Sequence, residues 1–297
     1  MIAALWLLLF SPGQVNPHLK DGLVALNRGE LAKAQSELEQ AETEEPRNPY
    51  VWTSLAQTYL REQQLDKADS AAAKAEETGG REPVIRHALG IFYFDFGQVL
   101  LRKQEFTHAA NMLADALERD STNAQLVLAL GVARYGQRRF DDAITSFLKV
   151  IELDPQIEQP YLYLGKMLDQ AGAHLATIVK DDRAWLAASP QNAKAQLVLA
   201  KALLAGDSRN EEALGLLERS IALDPTDWEP HYELGVLLAN RNDYLKAAAE
   251  LTRSIELDAR QAMPHYHLAR VYDRLGEAER AKGEREIHAQ LTGTAPH

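Results

Sequence analysis

The chain contains no cysteine in 297 residues. That absence excludes disulfides, thiolate metal sites, a cysteine nucleophile and a lipidated cysteine anchor, and leaves the redox compartment open. Zinc-protease, nucleophile-elbow and P-loop motifs are also missing, and the two glycines between Leu130 and Gly136 read as part of a helical hairpin. No apolar run reaches the roughly 20 residues that a stable membrane span needs. No block of lysine or arginine stands out either, and the formal net charge is -11. A chain of that sign repels phosphate backbones and anionic lipid, so nucleic acid is not an expected partner.

Residues 1–14, MIAALWLLLFSPGQ, stand apart from the rest. Their apolar run is of signal-peptide length, with Ser11, Pro12 and Gly13 ahead of a cut that would leave Gln14 first, although no basic residue precedes it. Three readings stay open: a secretory leader, the end of a longer leader, or an apolar lid packed on the first helices. The leader readings send the protein to the periplasm or out of the cell. The lid reading leaves it in the cytoplasm.

What the chain does have is a period. Between Asn123 and Pro155, apolar residues fall at Leu126, Leu130 and Ala133 and then at Ala143, Phe147, Val150 and Ile151, spacings that share one helical face. Two amphipathic helices are implied. Asn123 suits the first cap, Gly136 marks the reversal, and Pro155 ends the second helix because it cannot donate the next hydrogen bond. Gly131 lies mid-helix, where glycine costs about 1 kcal/mol against alanine, so it is read as admitting the partner helix closely. The small residue recurs at Gly22, Ala56, Gly97, Gly165, Ala200, Gly235 and Ala269. The second-helix alanine recurs at Ala34, Ala68, Ala109, Ala213, Ala247 and Ala281, and Pro46, Pro190 and Pro225 close copies in phase.

This helix-turn-helix order over about 34 residues resembles the tetratricopeptide repeat, or TPR. The resemblance covers residues 15–291 and implies an all-α fold, a right-handed α-solenoid of antiparallel helix pairs (the TPR superhelix). Eight copies are expected near 15–48, 49–82, 83–123, 124–157, 158–192, 193–227, 228–261 and 262–291, with 292–297 a disordered tail. A lone hairpin buries too little to offset about 1.5 kcal/mol of ordering cost per residue, so stacked neighbours must supply the remainder. The first and last copies, with His18, Asp21, Arg285 and His288 at usually apolar positions, read as caps facing water.

Two copies depart from the pattern. Seven residues are inserted in the third, nearly two helical turns, which lengthens its first helix to about Pro83 to Arg102 without rotating the buried face. The lengthened part carries Phe92, Tyr93, Phe94 and Phe96, read either as a plug for the extra turns or, for Phe94, as a groove anchor. The fifth copy starts regularly at Tyr161, Leu164, Gly165 and Leu168, but Asp181 or Asp182 falls where Phe147 sits in the fourth. A buried, unpaired carboxylate is very costly. The second helix is therefore expected either to rotate its acids outward or to pair them with Lys180 or Arg183.

Candidate chemistry is sparse. His231 and His265 are one period apart and read as inter-helix contacts, since metal ligands must converge. Asp141 with Asp142, and Glu211 with Glu212, open second helices, where negative charge suits the helix dipole. No metal or cofactor is expected. The TPR resemblance places the groove lining on the first helix of each copy. It selects Tyr50, Gln57, Phe94, Gln98, Gln125, Leu128, Val132 and Tyr135, then Lys166, Lys201, Tyr232, Tyr266 and Arg270. The lysine, asparagine and arginine clamp by which some TPR domains hold chaperone C-termini is not matched by Leu19, Leu23, Thr53 and Gln57. The function implied is a non-enzymatic interaction scaffold that holds a peptide or protein segment in its concave groove. The alternative is an accessory subunit that positions a substrate or partner enzyme in an envelope or secretion assembly.

Overall fold

A computed structural model describes residues 16–293, and among them apolar stripes and polar caps produce sixteen α-helices. The leader expected at residues 1–14 and residues 294–297 of the expected tail lie outside the described residues. The chain forms two compact units that meet in sequence between Lys149 and Val150.

The first unit contains α1 (Pro17–Arg28), α2 (Leu31–Glu44), α3 (Pro49–Arg61), α4 (Leu65–Gly79), α5 (Pro83–Arg102), α6 (Phe106–Arg119), α7 (Ala124–Gly136) and the start of α8 (Phe140–Leu153). Asn16, Asn48 and Asn123 cap α1, α3 and α7, each side chain accepting from backbone N–H groups of the first turn. Asp141 and Asp142 sit in the first turn of α8, where the helix dipole favours them. The reversal within each hairpin is made two residues later than Gly136. Arg138 takes φ +61°, and Gln63 and Gln104 occupy the same left-handed position in their own hairpins. Gly136 has a different job: a Cβ there would lie 2.4 Å from the Phe106 ring, so it admits the preceding second helix.

The mid-helix glycines do admit their partner helices. A Cβ on Gly97 would lie 2.5 Å from Leu113, and one on Gly131 would lie 2.8 Å from Phe147. Both facing side chains are fully buried. Gly131→Ala should therefore destabilise by about 1 kcal/mol net, an overpacking cost of roughly 1–3 kcal/mol less the helix-propensity gain. Gly215→Ala, with nothing within 4 Å of the new methyl, should stabilise by up to about 1 kcal/mol. Urea unfolding of the two variants should shift midpoints in opposite directions, and a shared sign would contradict the close approach.

The lengthened α5 buries Ile85, Leu89, Phe92, Phe96 and Leu100, and packs on α3, α6 and α7. By length and composition it could cross a membrane, but half of its apolar window is buried inside its own unit, as in a core helix.

The second unit runs from the end of α8 through α9 (Gln159–Gly165), α10 (Leu175–Ala188), α11 (Ala193–Gly206), α12 (Glu211–Leu223), α13 (Trp228–Asn240), α14 (Tyr244–Leu257), α15 (Ala262–Leu275) and α16 (Ala278–Thr292). Gly276 and Gly293 end α15 and α16 in the left-handed conformation. Histidine ties recur within hairpins: the Nδ1 of His231 meets Glu250 at 2.7 Å and that of His265 meets Glu284 at 2.6 Å. His18 meets Glu37 in the same way in the first unit, at 2.8 Å. In all three the acid stands 19 residues after the histidine, so these histidines are inter-helix contacts.

The fifth copy corrects two expectations. Its irregularity lies in the first helix: α9 stops at Gly165 and gives way to short 3-10 turns at Leu168–Gln170 and Gly172–His174, whereas α10 is intact. Its acid is neither turned outward nor paired. Asp182 is completely buried with both carboxyl oxygens unbonded, while Arg183 forks onto Glu212 at 2.6 Å. The physical reason is register. Asp182 is the eighth residue of its helix, the place held by Leu38, Leu113, Phe147 and Leu251 elsewhere, and the stacked rings of Tyr161 and Trp185, 4.5 Å apart, keep α10 facing inward. Burial, then Asp181, pushes the Asp182 carboxyl up to about 8, so it stays neutral. Without a leucine or phenylalanine opposite, Gly165 meets only Val198, at 3.5 Å, and its helix is not clamped as the others are.

Candidate functional site

In the second unit the first helices of three successive copies enclose a cleft of about 430 Å³. The end of α9 and the turn after it contribute Gly165, Lys166, Leu168 and Asp169, α11 and the turn after it contribute Lys201, Leu204, Ala205 and Ser208, and α13 contributes Tyr232, Glu233, Val236, Leu237 and Asn240. The step from one helix to the next is one period, so Lys166, Lys201 and Val236 are equivalent positions, each just after the small mid-helix residue.

Charge is unevenly placed there. The Lys201 ammonium donates to Glu229 at 2.5 Å. Lys166 is exposed and lies 5.8 Å from the Tyr163 ring centre. Glu233, on the cleft wall, is pushed up to about 7; burial is the chief cause, Glu229 and Asp169 add to it, and Lys201 opposes it. Burial, then Glu233, Glu229 and Asp169, raise the Tyr232 hydroxyl above the ordinary phenol range.

An aromatic chain continues from the cleft along α13, α15 and α16. Trp228 and Tyr232 are 6.0 Å apart, Tyr232 meets His267 edge-on at 5.6 Å, and Tyr266 meets His267 at 5.2 Å and His288 at 5.5 Å. The Arg270 guanidinium stands 5.7 Å from the Tyr266 ring centre. Burial, with Arg270 adding, drives His267 down to about 4, so its ring is neutral.

Lys166, Lys201 and Tyr232 therefore share one cleft, and Tyr266 and Arg270 join it through rings. Of the eight residues selected in the first unit, Phe94 lines a hollow of its own. Phe94 is half-buried beside a smaller hollow of about 110 Å³ lined by Arg86, His87, Gly90, Ile91, Arg119, Asp120, Asn123 and Leu126. The Tyr50 hydroxyl donates to Glu82 at 3.4 Å, and the Gln57 amide nitrogen is buried with no partner. Gln98, Leu128 and Val132 are half-buried, Gln125 is exposed, and Tyr135 meets Phe140 edge-on at 6.0 Å. Sequence reasoning missed Asp169, Ser208, Glu233 and Asn240. For Glu233 there was a signal: it is the one charge in the otherwise apolar run from Tyr232 to Ala239.

A family model described as tetratricopeptide repeat matches residues 19–82 and 94–156, and a second of the same description matches 216–249. Among solved structures, MamA from Desulfovibrio magneticus RS-1 is 22% identical, covering 58% of this chain and 97% of its own, with a TM-score of 0.50. PilF of Pseudomonas aeruginosa is 16% identical over 71% of this chain and 95% of its own, with a TM-score of 0.54. A tetratricopeptide repeat protein from Parabacteroides merdae ATCC 43184 is 13% identical over 81% and 91%, with a TM-score of 0.59. At these identities the likeness is one of fold. No curated protein matches the chain. The matched models span more than half of the residues and agree with the all-α solenoid of paired helices, and the chain belongs to the tetratricopeptide-repeat family.

Proposed function

We propose that the protein is a non-catalytic scaffold that holds a segment of another protein against its first helices, chiefly in the cleft between Lys166, Lys201 and Tyr232. One observation carries this reading. Three successive copies present charged and aromatic side chains to a single concavity, the arrangement that gives an extended or helical segment both register and anchors. Tyr266 and Arg270 extend the surface toward the last copy, and Phe94 is our candidate anchor in the first unit. Export through the opening apolar run is part of the proposal, and mass spectrometry of the native protein with Met1 to Phe10 intact would remove that part.

Site-specific photo-cross-linking in the native host tests the main reading. With p-benzoylphenylalanine at Val236, on the cleft wall, a discrete protein adduct is expected, and Tyr232→Ala in the same background should abolish it. The same probe at Leu245, 73% exposed on α14, should give none. Equal adducts from both positions, or none from Val236, would refute the assignment.

A further inference from the structure

Glu233 differs from the other charged groups of the cleft. It lies mid-helix in α13, set into the wall, and among the described residues its carboxylate receives no hydrogen bond and joins no ion pair. The cation that acts on it, Lys201, is committed to Glu229. Lys166 stays exposed at the rim, and Asp169 adds a further negative group to the lining. Two lysines against Asp169, Glu229 and Glu233 leave one negative charge unanswered. A half-buried carboxylate without a partner has lost part of its hydration, and a cation brought by a ligand offsets that loss.

We infer that the cleft accepts a cationic side chain, lysine or arginine, of the bound segment, with Glu233 as its counter-charge and Tyr232 and Val236 flanking its methylene stem. Long basic side chains bury their stems on such surfaces while the head group is held by charge. This rests on the reading above that the cleft is where a segment binds. The net charge of -11 favours encounter with a basic partner as well.

The cation should also draw the proton from Glu233. Free Glu233 titrates at about 7, so at pH 6 most of it must ionise before pairing, whereas at pH 8 it is already charged. Affinity for a basic peptide should therefore rise about tenfold from pH 6 to pH 8. Around Glu233 stand Lys166 and Asp169 from the α9 end, Lys201 from α11, and Glu229 and Tyr232 on its own helix. His267 of α15 lies across Tyr232, and the His231–Glu250 pair ties α13 to α14. Tyr232 is raised and His267 lowered to about 4, so neither changes state in that window. Glu233→Gln separates Glu233 from the other groups.

The test is panning of a phage-displayed random dodecapeptide library on the full chain and on Glu233→Gln, followed by fluorescence polarisation of the selected peptides at pH 6, 7 and 8. Lysine or arginine should be enriched at one register position, binding should weaken about tenfold on Glu233→Gln, and the rise with pH should vanish in that variant. The variant's circular dichroism should match the parent and its melting temperature should be no lower. Peptides selected without charge preference and indifferent to Glu233→Gln would overturn this inference while leaving the cleft as a peptide site. Acidic peptides lost on Lys166→Gln or Lys201→Gln would overturn it in favour of carboxylate recognition. If neither protein retains any peptide, both readings fall.

Discussion

Asp182→Asn is expected to make the protein more stable at pH 8 and to change little at pH 4. An aspartate in the unfolded chain titrates near 3.9, whereas Asp182 in the fold, fully buried and unbonded, is raised to about 8. Between those values the unfolded chain releases a proton that the folded chain keeps. Stability therefore falls as pH rises through the window, by up to about 1.4 kcal/mol per pH unit, and levels off above the folded value. Summed to neutral pH, the loss is on the order of a few kcal/mol. Asparagine has the same shape and no proton to lose, so the slope should disappear. In a repeat array such a penalty is felt first by the copy that carries it. Amide exchange in α10 should therefore slow in the variant at pH 8, alongside a higher melting temperature. Melts of wild type and variant that run parallel from pH 4 to pH 8 would show that the carboxyl is ionised and satisfied in the fold.

The same residue marks the limit of what could be read from sequence. Caps and apolar periods are local, each tested against its own few neighbours, so Asn123, Gly131 and the lengthened α5 were legible. Placing an acid at the helix position that Phe147 holds in the fourth copy sets two rules in conflict: register demands burial there, and charge forbids it. Sequence reasoning resolves that conflict by turning the helix. The protein resolves it by keeping the acid neutral, because Trp185 stacked on Tyr161 holds the register. Gly136 misled for a related reason. Glycine near a reversal suggests a positive φ, but Arg138 takes that conformation, and the glycine answers the Phe106 ring of the preceding helix, a contact that no local window contains.

At the cleft, positions carried over from the repeat pattern brought Lys166, Lys201 and Tyr232 together because the period itself aligns them. Glu233 lies one residue beyond such a position. Its importance comes from the commitment of Lys201 to Glu229 and from burial, and both depend on how three helices meet.

Phe96→Ala and Phe94→Ala should separate the two uses of the aromatic run in α5. Phe96 is fully buried, 5.6 Å from Phe92 and 5.5 Å from the His108 ring, and Phe92 in turn meets Tyr93 at 5.3 Å. Truncating such a ring removes its transfer energy and leaves a cavity that the long helix cannot close, at about 3–5 kcal/mol. Phe94 touches the core only partly and faces the small hollow near Arg119, so its loss should cost about 1 kcal/mol or less. The extra turns thus need Phe92 and Phe96 to fill the unit, while Phe94 is left with surface to offer a partner. Denaturant titration of both variants decides the matter: comparable losses would make Phe94 a packing residue and withdraw it from the binding surface.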